Sequence, residues 1–409
     1  MGMLKSVVTS KLAAAGILID GHRPWDIRNV KPRFYLRAAV FGSLGVGDSY
    51  TDGDFECDDV GAFVEKWTRF QMKCRIAQLE QSDKNAHNYE PVTSLPEWWI
   101  WLKRKRGNQQ SIKRSKRVGR EHYDLDKIYD KLYPKMLGPT MAYSCGYWEG
   151  AETLEQAQLN KYRVICEKLG LKRGMRVLEI GCGWGGFAAF AVKEYGVTVV
   201  GVSISREQIN FVKAKHKDLC DAGSLDLRFM DYREIPEKFP KEFDRVVSIG
   251  MFEHVGPKNY DDYMRIVWLA LKPGGTFLLH TIIGNDGADP FIWYRIFPGG
   301  VLPIEEQIAR AAKPYFAYEH GENFGFDYSR TLDAWWENFK AAWPTIRKGD
   351  DYDDKFYRMW EFYLRSCAAA FRARKIHLQH WVFTKLDPAN ENARGYEYGR
   401  FASSSRIAA

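Results

Sequence analysis

The segment Glu179-Ile180-Gly181-Cys182-Gly183-Trp184-Gly185-Gly186 limits what this chain can fold into more than any other. Arg176-Val177-Leu178-Glu179-Ile180 before it reads as a short apolar strand, and Phe187 to Tyr195 after it reads as a helix. The glycines therefore make a strand-to-helix turn whose backbone a ligand can approach closely. The same alternation continues on both sides. Leu154 to Leu169 has helical spacing, Val197 to Val202 is a strand rich in β-branched residues, and Ser205 followed by Gln208 is a capping box opening the next helix. Phe243 to Ile249 reads as a strand. Tyr260 to Leu271 reads as a helix ending before Lys272-Pro273-Gly274-Gly275, and Thr276 to Thr281 as another strand. Such alternation implies an α/β fold with a mostly parallel sheet and helices on both faces. Beyond Ile283 it fades, and helical patches at Pro303–Ala312, Leu332–Ala342 and Phe356–Phe371 read as additions to the core.

Gly181, Gly183 and Gly186 fit the G-x-G-x-x-G spacing of dinucleotide enzymes. That fingerprint expects an acid at the end of the second strand to hold a ribose. Here the strand ends Gly201-Val202-Ser203-Ile204-Ser205, without one. The acid stands instead at Glu179, just before the glycines, and the loop so preceded resembles the cofactor loop of class I S-adenosylmethionine-dependent methyltransferases. Asp231-Tyr232, after the third strand, then suits an adenine. Methyl transfer ranks above hydride transfer on this region alone.

The 409 residues fit two or three domains, with the first hundred unlike the rest. They carry turn-like stretches (Gly42-Ser43-Leu44-Gly45-Val46-Gly47 and Asp52-Gly53-Asp54) and a helix-like one from Val60 to about Gln81, and read as a small domain of mixed structure. A polar segment, Glu80 to Glu90, leads to Trp98, Trp99 and Trp101. Between Trp101 and Arg120 stand Lys103, Arg104, Lys105, Arg106, Lys113, Arg114, Lys116, Arg117 and Arg120, with no acid among them. That run outweighs the whole net charge of +8, so the remainder is nearly neutral. It reads as a solvated linker or as a site for an anionic surface. The expected division is residues 1–100, a basic linker at 101–120, and a catalytic domain at 121–409. No apolar run reaches the ~18–20 residues of a spanning helix, and no cleaved signal is read at the N-terminus. Seven scattered cysteines without a C-x-x-C pair favour a reducing cytosol, no disulfide framework and no metal cage. An aromatic share of 15% suits either a dense core or a greasy pocket.

Four further motifs fall near strand ends: Tyr143-Ser144-Cys145-Gly146-Tyr147-Trp148, Met251-Phe252-Glu253-His254-Val255-Gly256, His280-Thr281-Ile282 and Asn323-Phe324-Gly325-Phe326-Asp327-Tyr328. Each singly has an ordinary structural explanation. Together with Gly42–Tyr50, Glu121-His122-Tyr123-Asp124-Leu125, Val177–Gly186, Gly250–Tyr260, Leu278–Thr281 and Ala370-Phe371-Arg372-Ala373-Arg374, they resemble the bacterial cyclopropane-fatty-acyl-phospholipid synthases, relatives of the mycolic acid cyclopropane synthases. The resemblance runs from about Asp26 to about Phe383.

The resemblance implies a class I methyltransferase, Rossmann-like fold with a smaller N-terminal lipid-binding domain. It implies methylene transfer from S-adenosylmethionine to a cis double bond of a phospholipid acyl chain, through a carbocation that bound bicarbonate deprotonates. The bicarbonate site would be Cys145, Glu253, His280, Ile282 and Tyr328. Tyr143, Ser144, Gly181 and Gly183 would contact the methionine portion of the cofactor. Ser203, Ile204 and Gln208 would surround the ribose, and Asp231, Tyr232 and Ile249 would flank the adenine. Asp231-Tyr232 departs from the Gly-Trp pair of the mycolic acid relatives. Cys367, among alanines on a helical stretch, reads as structural. The implied partners are unsaturated phospholipids at the inner face of the cell membrane, met peripherally from the cytoplasm, and a second copy in a homodimer; nucleic acid is not among them. Two other readings compete: a methyltransferase of soluble acceptors, and a non-catalytic membrane-binding protein on the same fold.

Overall fold

The computed structural model describes residues 2–81, 94–108, 110, 132–284, 289–347 and 352–387. The chain forms two compact units, and neither is a continuous stretch of sequence.

One unit comprises Gln110–Ile283, Val301–Asp327 and Leu378–Ala409. Its strands are β1 (Arg176–Ile180), β2 (Thr198–Ser203), β3 (Leu225–Phe229), β4 (Phe243–Ile249), β5 (Leu271–Gly284), β6 (Phe316–Asn323) and β7 (Ile376–Lys385). They form one sheet in the order β3-β2-β1-β4-β5-β7-β6. β1 runs parallel to β2 and β4, β2 to β3, and β4 to β5, while β6 and β7 are antiparallel. The expected mostly parallel sheet is the one found. Because successive strand residues point to opposite faces, the strands feed two cores. Leu178, Ile180, Val200, Val202, Val246, Phe277 and Leu279 join one. Val177, Val199, Val247 and Leu278 join the other. Two covered faces explain why these strands read as continuous apolar runs. β4 matches its sequence expectation to the residue. β5 is longer than expected: Lys272-Pro273-Gly274-Gly275 is part of the strand, and the pairing with β4 shifts register between Phe243 and Arg245 to absorb it.

The other unit comprises Met1–Gln109, Gly284–Gly300 and Tyr328–His377. It is helical, not mixed: Gly2–Ala14, Pro32–Thr51, Val60–Gln81, Leu95–Arg106, Asp354–Arg372 and most of Gly325–Ile346. Its extended structure outside β7 is limited, among the described residues, to the bridges Ile19↔Ile27 and Arg28↔Glu56. Gly42–Gly47 is not a turn. It lies within Pro32–Thr51, kinked at Gly42, and a Cβ on Gly47 would sit 2.2 Å from the Phe291 ring, so glycine there permits close packing. The division at residue 121 therefore differs from the observed one, and ion pairs give the reason. Arg365 bridges Asp59 and Asp333, both at 2.9 Å, and Arg372 bridges Glu65 at 2.9 Å and Asp333 at 2.7 Å. Tyr50 donates to Glu361 at 2.8 Å under the guanidinium of Arg358. These contacts tie Asp354–Arg372 to the N-terminal helices. Of the expected basic linker, Trp101–Arg106 is helix in this unit; residues 113–120, like 82–90 of the polar segment and Glu121–Leu125, lie outside the described residues. Among the described residues no helix is long and apolar enough to cross a membrane.

Candidate active site

The C-terminal ends of β1, β2, β4 and β5 converge, because their pairing puts Ile180 opposite Val202 and Ile249 opposite His280. Ligands of open parallel sheets bind at this edge. The glycine turn begins there: the Gly181 and Cys182 amides both donate to the Val202 carbonyl, at 2.9 and 3.1 Å. Gly185 has φ 72°, and a Cβ on it would lie 2.4 Å from Val212. Gly183, with φ 49°, would have nothing within 4 Å of an added Cβ. The protein thus fills the space behind Gly185 and leaves the space over Gly183 open.

Glu253, His280 and Ile282 come together at the neighbouring strand ends. Glu253 lies on the short turn Phe252–His254 after β4 and accepts a hydrogen bond from the Ile282 amide at 2.7 Å. Ile282 is two residues beyond His280 on β5, hence on the same face. Glu253 and His280 are both buried, and two of their polar atoms, Glu253 Oε2 and His280 Nε2, have no hydrogen-bond partner among the described residues. Burial pushes the Glu253 carboxyl up to about 7. Burial holds His280 well below the usual histidine range, so its ring is neutral.

The Tyr143–Cys145 segment passes the end of β4, where a Cβ on Gly250 would meet Ser144 at 3.8 Å. Its support comes from the helix Leu154–Lys168. Lys161 Nζ donates to Ser144 Oγ at 2.8 Å and to Gln158 Oε1 at 2.6 Å, and the Gln158 amide donates to the Ser144 carbonyl at 2.9 Å. Burial brings Lys161 down to about 7 and raises Glu179 to about 8. The Glu179 Oε2 atom has no partner among the described residues. Cys145 is fully buried, its thiol donating to the Gly146 carbonyl at 3.1 Å, and the ring of Tyr143 lies 5.3 Å from that of Tyr133.

A second chain of polar groups escaped the sequence reading. His280 Nδ1 meets His380 Nε2 at 2.8 Å, His380 Nδ1 meets Lys168 Nζ at 2.9 Å, and Lys168 pairs with Glu322, which also accepts from Tyr147 Oη at 3.0 Å. Lys161 and Lys168 were overlooked because lysine suggests solvent. The available signal was position: Ala157, Lys161, Ile165 and Lys168 follow a core-facing helical stripe.

The other candidates divide. Ser203 Oγ donates to Gln208 Oε1 at 2.9 Å. That bond replaces the returning half of the expected capping box, since only Ser205 accepting from the Gln208 amide, at 3.2 Å, is formed. Ile204 and Ile249 are half-buried at the ends of β2 and β4. Asp231 accepts from the Arg233 amide and pairs with its guanidinium at 3.0 Å. Tyr232 is 7% exposed, with Arg233 over its ring and Tyr263 edge-on at 5.2 Å. The adenine candidates are thus already engaged by protein. Tyr328 belongs to the other unit, where its ring stacks on Phe371 at 4.6 Å. Cys367 is there too, and burial pushes its thiol up to about 12, as a structural cysteine requires.

Residues 110–381 match the Mycolic acid cyclopropane synthetase family. Over 382 residues the chain is 44% identical to the cyclopropane-fatty-acyl-phospholipid synthase of Escherichia coli strain K12, covering 93% of each. The structure of the cyclopropane synthase MmaA2 from Mycobacterium tuberculosis superposes with a TM-score of 0.60 at 31% identity, covering 66% of this chain and 98% of that one. A mycolic acid cyclopropane synthase complexed with SAH and CTAB gives 0.59 at 31% identity, over the same shares.

Proposed function

Because the chain belongs to the Mycolic acid cyclopropane synthetase family and is an S-adenosylmethionine-dependent methyltransferase, we propose that it converts the cis double bond of an unsaturated phospholipid acyl chain into a cyclopropane through a carbocation deprotonated by bicarbonate. The observation that carries the bicarbonate step is the pair of unpartnered atoms, Glu253 Oε2 and His280 Nε2, buried on adjoining strand ends. Buried polar atoms are seldom left without partners. A small anion with one hydroxyl and two further oxygens fits both: neutral His280 donates to an oxygen, and ionised Glu253 accepts from the hydroxyl. The bound cofactor supplies the methyl carbon, and bound bicarbonate supplies the base.

The chain's own residues then have defined roles. Lys161 and Gln158 hold Ser144, and so the Tyr143–Cys145 segment, from below. Gly181 and Gly183 let the methionine portion lie on the backbone. Gln208, steadied by Ser203, turns its amide to the ribose beside Ile204. Asp231, Tyr232 and Ile249 border the adenine, with Arg233 held by Asp231 and over the Tyr232 ring. Glu253, His280 and the Ile282 backbone orient the proton acceptor, and Cys145 completes its surroundings; Tyr328 is assigned to it by the family resemblance alone. An isolated alkene offers no polar handle, so the rate gain comes from positioning the acceptor beside the acidic proton. The helical N-terminal unit is the lipid-presenting part. Exposed Trp98 and Trp99 beside Lys103–Arg106 support peripheral contact with an anionic bilayer at the inner face of the membrane. The homodimer rests on the family resemblance.

The test is incubation with S-adenosylmethionine and vesicles of unsaturated phospholipid, in buffer with and without bicarbonate, read by mass spectrometry. Acyl chains heavier by one methylene are expected, with the yield collapsing when bicarbonate is removed. Cofactor binding without any heavier chain would overturn the substrate reading. Undiminished yield without bicarbonate would overturn the acceptor.

A further inference from the structure

The buried chain running from His280 through His380 and Lys168 to Glu322 has a direction set by elementary hydrogen-bond chemistry. Lys168 is 1% exposed, and an ammonium group only donates. It faces Glu322 on one side and His380 Nδ1, at 2.9 Å, on the other. His380 Nδ1 must therefore accept. A neutral imidazole that accepts at one nitrogen carries its proton on the other, so His380 Nε2 donates across 2.8 Å to His280 Nδ1. His280 in turn carries its proton on Nε2, the atom without a partner among the described residues. The opposite arrangement would set a His380 N–H against the ammonium. Phe324 stands edge-on to both rings, at 4.7 Å from His380 and 5.9 Å from His280, closing them into an apolar wall. Burial keeps both rings neutral, which is what gives the tautomer meaning. Glu322, 31% exposed and held also by Tyr147, anchors the outer end.

We propose that Lys168 and His380 are positioning residues that fix His280 in its Nε2–H tautomer, so that a hydrogen-bond donor always faces the acceptor anion. The inference rests on the bicarbonate reading for its purpose, though not for its geometry. Without the ammonium, either tautomer of the histidine pair satisfies the Nδ1–Nε2 contact. His280 then presents a lone pair to the anion for part of the time, which repels the group it should hold. Outer partners of metal-ligating histidines, which fix the tautomer in the same way, are typically worth about 10- to 100-fold in activity, and the same order is expected here.

The experiment uses full-length protein with 15N-labelled histidine, the His280 signals being assigned by their loss in H280N. In wild-type protein without bicarbonate, the imidazole nitrogen shifts are expected to report Nε2–H for His280. K168M is expected to shift them toward a tautomer mixture and to lower kcat roughly 10- to 100-fold, with cofactor affinity within about threefold of wild type. H380M is expected to do the same. H380Q, whose amide can accept from Lys168 and donate to His280, is expected to recover most of that loss. Should a methionine variant fail to fold, the wild-type tautomer and H380Q still decide. An Nδ1–H His280 in wild type overturns the proposal, as does a K168M or H380M protein with the wild-type tautomer and kcat. If the tautomer responds as stated but removing bicarbonate leaves wild-type turnover unchanged, the relay stands and only the bicarbonate reading falls.

Discussion

Replacing Glu253 by Gln should raise stability while removing activity, and the two effects have one cause. Burial opposes the charge of the Glu253 carboxyl and pushes it from the ordinary 4.5 up to about 7 in the folded protein. Each pKa unit is worth about 1.4 kcal/mol. The distance from 4.5 to about 7 thus penalises folding by about 3 kcal/mol once the group is ionised in both states. The sign follows from the raised folded value: the penalty is absent below pH 4.5, grows between 4.5 and about 7, and is complete above. Gln has no proton to lose, so E253Q escapes it. Its carbonyl can keep the 2.7 Å bond from the Ile282 amide, and its NH2 replaces an oxygen that already lacks a partner. An unpartnered NH2 offsets at most about 1–3 kcal/mol of the gain. The assay is urea denaturation of both proteins from pH 5 to 8.5, followed by a signal from the sheet-containing unit, beside turnover at each pH. E253Q should gain stability over wild type as pH rises from 5 toward 7 and keep that gain above 7, while losing most of its kcat with cofactor binding kept. A stability difference that is flat with pH, or that favours wild type above pH 7, would refute the titration argument. Full turnover in E253Q would refute the anion-site argument.

Two further outcomes separate the roles of the glycine turn and the basic helix. G185A should destabilise the protein by about 1–3 kcal/mol because its Cβ would overlap Val212, whereas G183A should fold with only the strain of its positive φ yet bind cofactor at least about tenfold more weakly; equal cofactor affinity in G183A and wild type would place no ligand over that backbone. Neutralising Lys103, Arg104, Lys105 and Arg106 to Gln should weaken binding to anionic vesicles by about 1 kcal/mol per residue, most plainly at low salt. Unchanged sedimentation with vesicles at low salt would leave these residues a solvated helix end.

The central sheet was legible because its strands are buried on both faces and each ends in residues that cannot continue it. Phe243–Ile249 stops at Gly250, and Arg176–Ile180 stops at the Gly181 turn. Glu253, His280 and Ile282 were legible as a group only through family resemblance, since nothing in their spacing announces that β4 and β5 lie side by side. The two units were not legible. What ties Asp354–Arg372 to Val60–Gln81 is a set of ion pairs about three hundred residues apart in sequence, such as Glu65 with Arg372. The glycines at 42–47 misled for a local reason: in a helix glycine costs about 1 kcal/mol against alanine, and only the Phe291 ring pressed on Gly47 shows what offsets that cost.

The helix Leu154–Lys168 joins the two halves of the site. Lys161 and Lys168 are seven residues apart, about 10 Å along the axis at 1.5 Å per residue, and both are buried. Lys161 holds Ser144 under the half proposed for the cofactor, and Lys168 holds His380 and through it His280 under the half proposed for the anion. A charged lysine buried this deeply adds little net stability, because desolvation consumes most of the attraction it finds. Two such cations on one core-facing stripe are therefore poorly explained as braces for the fold. Lys168, paired with Glu322, is better explained as a donor that sets the direction of the hydrogen bonds beyond it. That directional role distinguishes Lys168 from any apolar residue of equal length, and it is why a methionine there can leave the fold standing while disturbing a histidine one residue further along the chain of contacts.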